Sequence, residues 1–258
     1  MYPYENRYPQ AAPAGLIASS ADTVAFLRKV YTLFTLSVVA ATGGAVAALY
    51  AGAETSKMTM VLSNGSSVVV PPLIAFFANH WIIGGLLFLG SVYGTSAVRL
   101  KPGINVAALL GMGFISGLVI APAIWMTQMA ATSGTTLTQS PVRDAFLLAS
   151  AAFLGLTTYA LVSRKDFSFL RGFLTMGIWV VLGAILLNIF IGSSAFGLAL
   201  ASAGVLLFGG FILFDTSRML RRPEERGDAV GAAISLYLSV LNLFLFLLTI
   251  FRGGSRNG

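Results

Sequence analysis

Among 258 residues the chain has nine acidic side chains and a single histidine, and their positions bound the chemistry available to it. Glu5 and Asp22 precede the first long apolar run, Glu54 follows it, and Asp144 and Asp166 fall in loops or at helix ends. Glu224, Glu225 and Asp228 belong to the basic stretch "RMLRRPEERGD". Asp215, in "GGFILFDTSRML", is the acidic residue that falls within an apolar run. A carboxylate in hydrocarbon costs about 2.5–3.5 kcal/mol on insertion scales, so it requires a partner or a purpose. Arg218, three residues on, offers a local ion pair at the interface. A buried carboxylate that acts on cations is the alternative, and residue types alone leave both open. Helix capping does not account for it, because a negative charge near a helix C-terminus opposes the helix dipole.

The same inventory argues against catalysis. One histidine falls short of the two that a zinc metalloprotease motif needs. A serine hydrolase would need His80 beside a buried serine, and no GxSxG stretch is present. An aspartyl intramembrane protease needs two facing carboxylates sharing a proton, where one is visible. Walker A and Rossmann glycine patterns are absent from the sequence. His80, in "FFANHWIIGG" beside Trp81, reads as a solvated residue at a membrane boundary. No cofactor is expected, and with no cysteine, disulfides and thiolate metal sites are ruled out.

The elements that must position Asp215 follow from composition. With 57% hydrophobic and 10% charged residues and a mean hydropathy of +0.85, the chain is a multi-pass membrane protein, not a soluble domain. Seven apolar runs are long enough to span as helices, at roughly 29–51, 73–97, 104–130, 145–163, 170–192, 196–216 and 228–251. Continuous runs of this length are not barrel strands, so the fold class is an all-α membrane bundle. Residues 1–25, rich in Pro, Tyr and Ala, read as a disordered cytoplasmic tail, 26–252 as the membrane domain and 253–258 as a short C-terminal tail.

The net charge of +7 does not signal nucleic acid, because the basic residues cluster between apolar runs. With the N-terminus cytoplasmic, the outer segments hold Lys57, Arg143, Arg252 and Arg256, and every other Lys and Arg falls inside. This positive-inside bias places the N-terminus in the cytoplasm and the C-terminus outside, in a cell membrane. The outer loop 52–72 is polar, with turn signals at Asn64-Gly65 and Pro71-Pro72.

Three glycine pairs have helix-packing spacing, Gly90 and Gly94, Gly113 and Gly117, and Gly227 and Gly231. Internal packing is expected of them first and a weak homo-oligomer second. The last span carries a polar stripe: Asp228, Gly231, Ser235, Ser239, Asn242, Phe246 and Thr249 share one helical face. Such a stripe either glues helices together or lines a wet cavity.

Three stretches carry a family likeness. "FLRKVYTLFTLSVVAATGGA" (26–45), "RKDFSFLRGFLTMGI" (164–178) and "FILFDTSRMLRRPEERGDAVGAAISLYLSVLNLFLFLL" (211–248) resemble the transmembrane Bax-inhibitor-motif family, including YccA- and YetJ-like bacterial proteins. The resemblance covers nearly the whole chain beyond the N-terminal tail. It implies six helices around a central last one, in a monomer or weak homo-oligomer in the lipid bilayer. It also implies a calcium leak gated by pH through two aspartates, with Ca2+ as the transported ion.

The first of those aspartates maps onto Asp215. The second belongs to the motif SLYLD, where this chain reads "SLYLS" and places Ser239. Two close carboxylates share a proton and titrate as a pair, whereas Asp215 beside a serine has no such coupling. Hydrogen bonding from Ser239 favours ionised Asp215, burial favours the neutral acid, and the sequence leaves the balance open. Calcium prefers six to eight oxygens with several carboxylates, so Asp215 with hydroxyls and Asn242 would make a weak metal site. The resemblance further implies that Asp215 is latched by an arginine at the end of the second span. Loop spacing points to Arg99 in "SAVRLKPG", with Lys101 as the fallback. An alternative role implied by the YccA-like members is modulation of a membrane-bound AAA protease of the FtsH type, engaged through the N-terminal tail.

Overall fold

A computed structural model of the chain describes residues 20–56, 58–62, 65–222 and 227–253. Eight α-helices account for most of them: α1 (Ser20–Tyr50), α2 (Pro72–Asn79), α3 (Trp81–Val98), α4 (Ile104–Thr132), α5 (Pro141–Ser163), α6 (Leu170–Ile191), α7 (Ser194–Arg221) and α8 (Ala229–Arg252). All but α2 are long and apolar enough to cross a membrane. Helices satisfy every backbone donor and acceptor within their own segment, which the hydrocarbon core demands. The protein is therefore an all-α, multi-pass membrane protein.

Helix α1 begins at Ser20, so residues 20–25, assigned to the tail on composition, are helical. The tail expected over residues 1–19 lies outside the described residues, as do Gly254–Gly258 beyond α8. The expected second span, 73–97, is two helices. The backbone leaves helical geometry at His80 (φ −117°, ψ 48°), which ends α2 and precedes α3. There the imidazole Nδ1 lies 3.0 Å from the Phe76 carbonyl, which also accepts from the His80 backbone N–H at 2.9 Å. The ring is exposed and stacks on Phe76, in keeping with a residue at a boundary. The loop between α1 and α2 also holds structure that turn signals alone did not announce. β1 (Thr59–Val61) pairs antiparallel with β2 (Ser67–Val69), Thr59 opposite Val69.

Helix α8 carries the most buried face of the seven spans. It packs against α7, α5, α1 and α4, and touches α3. The largest apolar cluster gathers on it, with Leu236, Leu243 and Ala233 meeting Val30 of α1, Leu109 of α4 and Ile212 of α7. The expected ring of six is uneven, however. α6 lies along α7 and reaches α8 through Phe246, which packs against the cluster of Leu174, Val181 and Leu207. The rest of α6, including Phe173, Trp179 and Phe190, is exposed, as a bilayer-facing surface would be.

The glycine pairs behave differently from one another. A Cβ on Gly113 would sit 2.6 Å from the Ser37 carbonyl oxygen, and one on Gly117 would overlap the Ala41 carbonyl oxygen. On the facing helix a Cβ on Gly44 would strike the Phe114 carbonyl. α1 and α4 thus approach backbone to backbone, the small-residue packing that spacing predicts. Gly90 and Gly94 have nothing within 4 Å of a built Cβ, so packing does not explain them.

Candidate functional site: a carboxylate cavity at the arginine-rich end

Asp215 lies on α7 with 4% of its surface exposed. It faces the first half of α8 because "FDTSRM" puts Asp215 on the side of α7 that meets that helix. Ser235 Oγ donates to Asp215 Oδ2 at 2.8 Å, and Ser239 Oγ lies 3.4 Å from the same oxygen. Ser239 also donates to its own helix, at the Ser235 carbonyl, 3.0 Å away. Of the two serines, Ser235 makes the shorter bond, although Ser239 occupies the position of the family's second aspartate.

Asp215 forms part of the wall of a cavity of about 450 Å³. Its charged lining consists of Arg99, Asp215, Arg218 and Asp228, joined by Ser235 and backed by Phe26 and Met219. α1, α3, α7 and α8 all contribute, so the cavity opens at the end of the bundle where α3 and α7 finish and α8 starts.

Arg99 is at the rim, as loop spacing anticipates, but its ion pair is with a different carboxylate. Arg99 Nε is 2.8 Å from Asp228 Oδ2. Asp228 is the N-cap of α8, and its Oδ1 accepts from the Gly231 backbone at 2.7 Å. One carboxylate therefore fastens the end of α3 to the start of α8 with one oxygen and caps α8 with the other. The expected latch between Arg99 and Asp215 is corrected to Arg99 and Asp228. The physical reason is that the cap position holds Asp228 directly against the end of α3. Lys101, the fallback, is exposed. The cap was legible as an Asp immediately before an apolar helical run, a start signal that the basic loop around it obscured.

The polar stripe on α8 divides. Asp228 and Ser235 line the cavity, with Gly231 between them. Asn242 turns its amide back to the Leu238 carbonyl at 2.8 Å, and Thr249 bonds to the Leu245 carbonyl at 2.9 Å. Both are self-satisfied on their own helix. Among the described residues no cluster of three or more His, Cys, Asp or Glu is placed to hold a metal ion; the hydroxyls of Ser235 and Ser239 are oxygen partners of Asp215.

Two features escaped the sequence. The Tyr237 hydroxyl is hydrogen-bonded to Ser116 Oγ, a buried tie between α8 and α4. Ser217, next but one to Asp215, accepts from the Phe167 backbone at 3.3 Å and donates to the Lys165 carbonyl at 3.0 Å. Arg221 adds a hydrogen bond to the Arg164 carbonyl. The loop between α5 and α6 is thereby pinned to α7, which holds Asp215 in register. A second cavity, about 580 Å³ and mostly apolar, lies toward the opposite end among α1, α4, α5 and α8, with Ile120, Phe146 and Tyr237 in its wall.

This fold and this cavity define a seven-span membrane protein with a buried carboxylate beneath a charged mouth. The chain belongs to the Bax inhibitor family: the model described as inhibitor of apoptosis-promoting Bax1 matches residues 23–257. It is 35% identical to protein lifeguard 4 of Mus musculus over 87% of this chain and 83% of that protein. It is 32% identical to the Golgi anti-apoptotic protein of vaccinia virus over 90% of this chain and 87% of that one. An uncharacterized membrane protein of Vibrio cholerae is 49% identical over 42% of this chain and 48% of its own length.

Proposed function

We propose that this protein is a gated leak pathway for calcium or another cation, with the protonation of Asp215 setting its pH response. The observation that carries this reading is the buried Asp215 carboxylate, hydrogen-bonded by Ser235 at the inner wall of a 450 Å³ charged cavity. In hydrocarbon such a group marks an ion or proton route more often than a structural contact. The apolar cavity lies on the opposite face of α8, lined there by Tyr237, Val240, Leu241 and Phe244, whereas the carboxylate cavity takes Asp228, Gly231, Ala232 and Ser235.

Four groups set the local field: Asp215 and Arg218 of α7, Arg99 at the end of α3 and Asp228 before α8, all in one cavity wall. Protonating Asp215 removes a negative charge from that wall and converts an acceptor into a donor, which frees the Ser235 hydroxyl. The membrane we assign is the cytoplasmic one with the N-terminus inside. In support, Arg99, Arg164, Arg171, Arg218 and Arg222 gather at one end, in keeping with positive-inside bias.

Calcium entry into dye-loaded proteoliposomes tests the reading. Entry above that of protein-free vesicles is the expected result, and none at any pH between about 5 and 8 would sink it. The role as modulator of an FtsH-type protease rests on the tail, and deleting residues 1–19 separates the two. A leak survives that deletion, whereas protease modulation is lost.

A further inference from the structure

The apolar cavity of about 580 Å³ among α1, α4, α5 and α8 shares no lining residue with the carboxylate cavity. Three of its polar residues gather at one end, where α4 finishes and α5 starts. They are Gln128 in the last two turns of α4, Ser140 at the N-cap of α5 and Arg143 in the first turn of α5. Arg143 is paired with Asp144 at 3.0 Å, so this mouth is polar without presenting a lone charge. Below it the walls are Ile124, Phe146, Val240 and Phe244. Two hydroxyls lie deeper and both are already partnered: Tyr237 is bonded to Ser116, and Thr42 donates to the Val38 carbonyl at 3.0 Å.

The cavity has the length of one leaflet. Along α5 its lining runs from Ser140 to Ser150, about 15 Å, and along α4 from Ile120 to Gln128, about 12 Å. Half of a hydrocarbon core is about 15 Å. At the deep end, one turn below Val38 and Ala149, the Phe34 and Phe153 rings meet with centroids 4.8 Å apart. α1 and α5 do not otherwise pack along their length, so the cavity opens sideways between them. Its edge continues into the bilayer-facing surface of α5, where Phe146, Leu147 and Leu148 are exposed.

We infer that this cavity binds one acyl chain of a phospholipid from the adjoining leaflet, with the headgroup resting at Gln128, Ser140 and Arg143. A slot with apolar walls, partnered hydroxyls and a polar mouth at the membrane boundary matches a chain hung from a headgroup. Lipid retention is read without ion flux, so its test does not depend on the leak reading.

The test is native mass spectrometry of the full chain released from phosphatidylcholine nanodiscs. Wild type should retain one phospholipid through collisional activation, and Ala45→Phe, Val142→Phe, which fills the slot from both sides, should retain about tenfold less. Ala45→Leu, Val142→Leu should show a smaller loss and covers the case in which the phenylalanine variant does not fold. Val180→Phe, on the exposed face of α6, should retain lipid as wild type does. A wild type stripped of phospholipid, or carrying a free fatty acid in its place, would overturn the inference. So would wild-type retention in the folded filled variants, or an equal loss in Val180→Phe.

Discussion

Arg99 and Asp228 are joined at 2.8 Å across the gap between the end of α3 and the start of α8, and the same aspartate caps α8 through its other oxygen. The arginine side chain is 47% exposed, so the ion pair alone contributes about 0.5 kcal/mol. The cap contributes about 1 kcal/mol more. Asp228→Ala should therefore destabilise the protein by more than Arg99→Ala does. In a double-mutant cycle the coupling should be small but nonzero. Detergent-unfolding midpoints for the two single variants and the double variant measure this, and strict additivity would remove the ion pair from the account.

Ser235 is expected to matter more to Asp215 than Ser239 does, because its hydroxyl is nearer and Ser239 also bonds to the Ser235 carbonyl. Ser235→Ala should cost about 1 kcal/mol, and Ser239→Ala less. The unfolding midpoints of the two variants give the order directly.

The close approach of α1 and α4 makes a sharp prediction about two kinds of glycine. Gly117→Ala drives a methyl into the Ala41 carbonyl, backbone that has no rotamer to move, and should cost about 1–3 kcal/mol. Gly94→Ala meets nothing within 4 Å and should be neutral or stabilising by up to about 1 kcal/mol. Thermal stability of the two variants in one detergent separates these outcomes.

Asp166, outside the spans, has its carboxyl held below its ordinary value of 3.8, chiefly by the Ser168 hydroxyl and then by the Ser168 backbone amide. A depressed value in the folded state means that its contribution is full above about pH 4 and is lost as pH falls through the folded value. Because the group is exposed, the effect is small. Wild type should lose slightly more stability than Asp166→Asn between pH 5 and pH 3, and identical losses would contradict the assignment.

The spans were legible in the sequence because a bilayer imposes both length and apolarity on each helix. Asp215 stood out for the same reason, as the charge within an apolar run. The break at His80 was not legible, since a single residue with non-helical φ and ψ inside an apolar run leaves no trace in hydropathy. The partner of Arg99 was misassigned because capping geometry, not loop spacing, decides which carboxylate meets the end of α3. Asn242 and Ser235 share a helical face, yet a tertiary neighbour decides that Ser235 faces Asp215 while Asn242 bonds to its own helix. The bond between Ser116 and Tyr237 joins residues far apart in the chain, a pairing that periodicity within one helix does not reveal.

The central claim is that protonation of Asp215 sets the pH response of a cation leak, and calcium entry into proteoliposomes between about pH 6 and 8 tests it most directly. Wild type, Asp215→Asn and Ser239→Asp are compared at equal protein density. The account predicts a pH-dependent leak in wild type and a leak without pH response in Asp215→Asn. In Ser239→Asp, where two carboxylates would share a proton, the transition should be steeper. An unchanged pH profile in Asp215→Asn, or a wild type that stays silent while Ser239→Asp conducts, would contradict it.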